Sequence, residues 1–439
     1  MATEGLAGNL VPARPSLDTR IAEAGFVVLL LVIIVGLQPF DDRSYTALAA
    51  RNAATVAGDL TRQLVFLGTF AVIAYAAFKK RGAQAVTAMP LAMAAMLAWC
   101  LASALWGNEP DIIARRAILT TIFVASMMLS VDTLGTERTV ALWRYVIGAV
   151  IVIDIASCLL IHQAVHQAND VEAGLAGAWR GLHAHKNTAG SVAAAAAAMF
   201  FFFALETKRR SDILLCIASL FFMIMTRSKS SIGLLPVALV LGGLYRVAWR
   251  SKLDRVIAML GAALVLLLIG VAIAVEWEAI GRFLDDPQQF TGRSAIWQAE
   301  FAYIRDHPLL GAGFGTFGNT GVRSPIYSYV GPGWVSQIGE GHSGYLEMMV
   351  TMGGIGLFLG LAAVVVQPFM QFWDPRRTDA NFNALLFTLF VFNLLHNFME
   401  SDFVNVTAAP WGLILLLIAL LKVSGREADQ RAPPLAVPA

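Results

Sequence analysis

Apolar runs long enough to cross a membrane recur along nearly the whole chain, at roughly 24–40, 64–79, 86–106, 117–131, 139–161, 188–206, 212–226, 231–248, 256–276, 344–370, 383–400 and 408–423. A bilayer-spanning helix needs about 20 mostly apolar residues. Backbone in lipid must satisfy its own hydrogen bonds, which leaves only helices and closed barrels. The runs are uninterrupted and rich in Leu, Ala and Met, without the alternation a barrel requires. The expected fold is an all-α integral membrane protein with about twelve transmembrane helices. Composition agrees, with 57% hydrophobic and 14% charged residues, and a net charge of +2 is too small to argue for nucleic acid.

Orientation follows from Lys and Arg in short connections. Lys79, Lys80 and Arg81, then Lys208, Arg209 and Arg210, then Arg246, Arg250, Lys252 and Arg255 lie in three connections separated by even numbers of spans. All three are therefore expected on the cytoplasmic side, with both termini. The organisation expected is a cytoplasmic segment 1–23, a polytopic membrane domain 24–423 with one large periplasmic loop at about 277–343, and a disordered cytoplasmic tail 424–439. The first run has no small-residue cleavage site behind it and is expected to be retained. Cys100, Cys158 and Cys216 sit inside apolar runs, with neither a disulfide framework nor zinc spacing.

With that topology the polar residues collect on the outer side. The stretch "WRGLHAHKNTAG" carries Arg180, His183, His185, Lys186 and Asn187, the last four either acceptor contacts or the polar cap of the next helix. Two histidines two residues apart invite a metal site, but the stretch has no carboxylate or cysteine beside them. "TRSKSS" sets Arg227 and Lys229 at the bilayer surface, as substrate contacts or simply snorkelling. In "TGRSAIWQAEFAYIRDHPLLGAGFG", Trp297, Phe301 and Ile304 share one face of a short surface helix that His307-Pro308 stops, and Arg293 lies in its first turn. A helix N-terminus with an arginine suits an anion. Gly311, Gly313 and Gly315 outside a strand-helix unit read as a flexible turn. "GEGHSGYLEMM" places His342 and Tyr345 at the mouth of the bundle, and "NLLHNFMESDF" brings His396, Asn397, Glu400 and Ser401 to the outer end of another helix.

Three arginines, Arg180, Arg227 and Arg293, with Lys186 and Lys229 and no rich carboxylate set, suit a pyrophosphate at the membrane surface. Such a site needs no metal or other cofactor. Arginines stabilise the leaving group, and a histidine deprotonates an incoming hydroxyl.

These segments, together with "ASALWGNEPDIIARRAILTT", occur in an order and topology that resembles the O-antigen ligase and Wzy-type polymerase superfamily, nearest to its ExoQ-like exopolysaccharide polymerases. The resemblance extends over roughly 100–405. It implies a glycosyltransferase-C-like enzyme of the bacterial inner membrane that takes undecaprenyl-pyrophosphate-linked glycans at the periplasmic face. The glycan passes to a sugar hydroxyl with inversion and without metal. Ligases of this superfamily carry His-x-[Asn/Ser/Gln]-x9-Gly; His342, Gly344 and Gly354 match its spacing, with Gly344 in place of the polar residue. The resemblance also implies that Arg180 and Arg293 contact the pyrophosphate and that His342 is catalytic; Tyr345 and Glu400 are further candidate substrate contacts, Glu400 otherwise marking only its helix's exit into water.

The leading expectation is a polymerase of lipid-linked repeat units, and the runner-up is the ligase that moves the glycan onto lipid A core. A flippase or a flippase-like transporter fits the helix count alone, and would show repeats and midplane charges that are absent from the sequence. A structural scaffold gives no reason for three arginines on one side. Expected partners, by resemblance, are a flippase and a chain-length regulator.

Overall fold

The computed structural model describes residues 17–44, 58–170, 173–248, 253–254, 256, 293–318, 320, 323–331, 335, 341–374 and 379–431. Among these the chain is an all-helical integral membrane protein. In order come α1 (Leu17–Ile34), α2 (Leu60–Arg81), α3 (Leu91–Ala102), α4 (Pro110–Leu134), α5 (Thr136–Leu160), α6 (Lys186–Thr207), α7 (Arg210–Met225), α8 (Lys229–Ala248), α9 (Arg293–Asp306), α10 (Gly344–Phe372), α11 (Ala380–His396) and α12 (Ala409–Arg431). Seven described helices are long and apolar enough to cross a membrane, and Leu91–Leu105 and Ala380–His396 are shorter apolar helices. Eleven of the sequence runs coincide with helices. Apart from residue 256, the run 256–276 lies outside the described residues, as does all of 277–292.

Helix limits follow local chemistry. The Asp59 carboxylate accepts from Arg62 N at 3.0 Å to open α2, and Lys79, Lys80 and Arg81 close it where the helix dipole favours cations. Pro110 starts α4, and Gly135, at φ 79°, turns the chain directly into α5. Two limits differ from the sequence reading. α1 begins at Leu17, and α12 continues beyond residue 423 to Arg431, because its last turns have partners: Arg426 pairs with Asp132, and Glu427 accepts from Thr136 N at 3.1 Å.

The core centres on α6, whose stretch from Ala189 to Phe200 is buried throughout. Its alanines let α7, α8, α11 and α12 approach closely, the usual means of packing helices in lipid, where apolar burial gives no drive. One end of the bundle is held by Lys79 with Asp18 (2.8 Å), Arg138 with Glu23 (2.6 Å), and Asp132 shared by Arg81 and Arg426. The start of α1 and the end of α12 both lie there. At the opposite end are the connections 35–44, 161–185, 226–228 and 397–408, the start of α10, and α9.

α10 is two pieces. Gly353 has φ 68° and breaks the helix, and a π-helical turn follows at Ala362–Val366. The groups freed by the break are taken up by the segment after α9. Ala312 N donates to Val350 O and Gly313 N to Thr351 O, both at 2.9 Å, while Gly354 N donates to Pro308 O at 2.8 Å. Trp99 of α3 caps the Met352 carbonyl at 3.0 Å, and Ser103 accepts from Phe314 N at 2.9 Å. Gly311, Gly313 and Gly315, at φ 68°, 99° and 67°, therefore form a tightly docked turn in place of the flexible one expected.

Candidate functional site

The connection between α11 and α12 supplies the centre of the polar end. The Asn397 Oδ1 accepts from Asp402 N (3.2 Å) and Phe403 N (2.9 Å), folding the chain back so that Glu400 points along the face. The start of α10 docks on this turn. Gly344 N donates to Asn397 O (2.8 Å) and Glu400 O (2.9 Å), and Ser343 N to Ser401 Oγ (3.1 Å). A side chain at 344 would occupy the space of the Asn397 carboxamide.

Glu400 is where the site converges. Arg293, the first residue of α9, bonds Glu400 Oε1 from Nη2 at 2.9 Å and the Met399 carbonyl from Nη1. Asn187, in the first turn of α6, donates to the same Oε1 at 2.8 Å. The His342 Nδ1 lies 3.7 Å from Oε2. Burial pushes the Glu400 carboxyl up, but the His342 imidazole and the Arg293 guanidinium, with His396 behind, hold it down at about 2. It is an anion held by the Arg293 guanidinium and the Asn187 amide, with the His342 imidazole alongside.

His342 is the most open of these, its side chain 37% exposed against 14% for Glu400. Its φ of 54° is left-handed, a conformation that costs a non-glycine residue about 1–3 kcal/mol and collects at functional positions. Arg227 shares it, at φ 52°. Tyr345 lies under the turn, its hydroxyl on Leu394 O (2.9 Å) and its ring against Phe398.

The 162–187 segment extends the face. Lys186 Nζ donates to Arg227 O (2.9 Å), so Arg227, Lys186, Asn187, Glu400, Arg293 and His342 form one linked series, with Arg227 and Lys229 exposed at its edge. His185 caps α6, accepting from Asn187 N at 3.2 Å. Two expected contacts face inward. Arg180, 3% exposed, spends Nε on Gln163 O (2.8 Å), Nη1 on the Asp41 carboxylate (2.8 Å) and Nη2 on Asp41 O (2.6 Å). His183, fully buried, bonds Asp154 of α5 at 3.1 Å. His166 pairs with Asp170 at 2.8 Å, and burial lowers it to about 4 against the pull of that carboxylate.

The arrangement corrects one feature of the sequence reading. The cationic face is interleaved with carboxylates, Asp41 under Arg180, Asp154 under His183 and Glu400 between Arg293 and His342, because a buried charge is tolerated only when paired. These partners lie far off in the chain, and no spacing rule reveals them. The surface helix packs inward through a stripe other than the Trp297, Phe301 and Ile304 face. Ile296, Ala299, Glu300 and Tyr303 are its buried stripe, while Phe301 is exposed and Trp297 is partly covered, donating to Gly341 O at 2.9 Å. A glutamate on the buried stripe was the signal available and unused.

Residues 213–361 match the Wzy_C family model, described as O-antigen ligase. No curated protein matches the chain. The matched stretch runs from α7 into the broken helix α10 and takes in Arg227, Lys229, Arg293, His342 and Tyr345, part of the roughly 100–405 over which the sequence resemblance extends. This match, over about a third of the chain, supports the O-antigen ligase/Wzy-type superfamily and a polymerase- or ligase-type function in glycan assembly.

Proposed function

We propose that the protein polymerises undecaprenyl-pyrophosphate-linked oligosaccharide repeat units at the periplasmic face of the bacterial inner membrane. The observation that carries this is the convergence of Arg293 and His342 on Glu400 at the open polar end. The Glu400 anion orients the imidazole through Nδ1, which leaves Nε2 to accept the proton of an acceptor sugar hydroxyl. That oxygen attacks the anomeric carbon of the donor from the face opposite the pyrophosphate. The bond from anomeric carbon to phosphate oxygen breaks with inversion, and the lipid pyrophosphate departs with the electron pair.

Charge on the leaving group is met by the Arg293 donors not spent on Glu400 and by exposed Arg227 and Lys229. Lys186 and Asn187 keep those groups in one line, with Tyr345 beneath the turn. Arg180 and His183 act one layer down, holding the 162–187 segment in place.

The test supplies purified protein with a lipid-pyrophosphate-linked repeat unit, with and without lipid A core, under chelation. Ladders of lengthening product without core are the expected result. Transfer confined to the core indicates the ligase of the same superfamily, and absence of turnover with either acceptor overturns the glycosyltransferase reading.

A further inference from the structure

Behind His342 lies a carboxyl that the proposed chemistry does not use. Glu300 of α9 is 1% exposed, and neither of its oxygens has a hydrogen-bond partner among the described residues. It packs against Gly341, the residue before His342, so closely that any Cβ there would collide with the carboxyl. Gly341 is gripped from two further directions. Its N–H donates to Glu347 Oε2 of α10 at 3.1 Å, and its carbonyl accepts from Trp297 Nε1 at 2.9 Å. Three side chains from two helices therefore fix the peptide that enters His342, whose left-handed φ leaves little latitude.

We infer that Glu300 is a positioning residue for His342, its buried carboxyl packed on Gly341, and that a negative charge on this carboxyl displaces the support. The inference rests on the proposed role of His342. Its physical basis is the pair Glu300 and Glu347 on either side of one glycine: with Glu300 neutral the two carboxyl groups coexist, and with both ionised they repel across Gly341. Burial, and then the neighbouring Glu347, push the Glu300 carboxyl well above the ordinary carboxylate range, in agreement with the neutral form.

The charged and titratable neighbours are accounted for element by element. On α9, Arg293 is committed to Glu400, and Tyr303 lies one turn along. On α10, Glu347 alone faces the carboxyl. On α4, Arg116 bonds Gly315 O and acts electrostatically on Glu347. Beside the short turn Pro325–Ser328, Tyr329 bonds Asp306 at the far end of α9. No cation among the described residues pairs with Glu300.

The test compares wild type, E300Q and E300A in purified form, with turnover followed across pH and the carboxyl followed by infrared spectroscopy at neutral pH. E300Q, a near-isostere that cannot ionise, is expected to keep turnover at neutral pH and to remove the decline of the wild type as pH rises. E300A, which leaves Gly341 unsupported, is expected to lose about tenfold in kcat with little change in KM, the mark of a misplaced catalytic group. The wild-type spectrum is expected to contain a protonated-carboxyl band that E300Q lacks. A decline on rising pH that is unchanged in E300Q, or no such band, overturns the inference while leaving the enzyme reading intact. Inactivity of the wild type with every acceptor overturns the enzyme reading, and this inference with it. If E300A does not fold, E300Q and the spectrum still decide.

Discussion

The Arg180 guanidinium holds Asp41 twice, through the carboxylate at 2.8 Å and the main-chain carbonyl at 2.6 Å, across 139 positions of sequence. Removing one member of a buried pair leaves an uncompensated charge and costs about 3–5 kcal/mol. R180A and D41A should each lower thermal stability markedly, and the double variant should lose much less than their sum. Thermal unfolding of the four proteins in detergent tests this; additive losses would show that the two side chains act independently.

His342 and Arg293 should fail in different ways. H342A removes the proposed base and is expected to lower turnover about 10²- to 10⁴-fold with the protein still folded. R293K keeps a charge but not the fork that reaches Glu400 and Met399 together, so kcat and donor KM should both worsen. Kinetics with a lipid-pyrophosphate donor separate the two, and wild-type behaviour in both would sink the assignment.

Glu400 and His166 both withdraw stability on acidification, over different windows of one pH axis. Glu400 sits at about 2, below the ordinary value of about 4.3, so its contribution is complete above that value and lost as pH falls through 2. The wild-type advantage over E400Q should therefore shrink on acidification below about 4.3. His166, lowered from 6.5 to about 4, is held neutral, and the unfolded chain binds its proton first. Stability should accordingly drop as pH falls from 6.5 towards 4, and H166Q should flatten that part of the curve. Melting temperatures against pH for the three proteins check both signs.

Gly242 of α8 faces Thr388 of α11 so closely that a Cβ would overlap the threonine hydroxyl. G242A should loosen this helix pair, with a cost of about 1–3 kcal/mol from overpacking. Adding T388A, which removes the obstructing atoms, should recover part of the loss. Unfolding measurements on the two singles and the double test the contact, and an unimproved double variant would count against it.

Much of the fold was legible because lipid sets the rules. Span length and unbroken hydropathy locate the helices, and His307-Pro308 marks the end of α9 because proline cannot continue it. Arg293, His342 and Glu400 stand out as polar groups in apolar surroundings. Their pairing was not legible, since Glu400 approaches Arg293 from 107 positions away through a turn shaped by the Asn397 side chain. The buried side of α9 was not legible for a related reason. Apolarity favoured Trp297 and Phe301, while packing against Gly341 and Glu347 selected the stripe that contains Glu300.

The break in α10 ties two distant glycines into one unit of inheritance. A Cβ on Gly311 would meet the Gly353 nitrogen and the Thr351 backbone, and one on Gly353 would run into Leu309, so neither position has room for a side chain while the other strand stays where it is. Among descendants of this gene, residues 311 and 353 should therefore be retained or replaced together. The length of the segment between Pro308 and Gly313 should drift only where the helix break is lost as well.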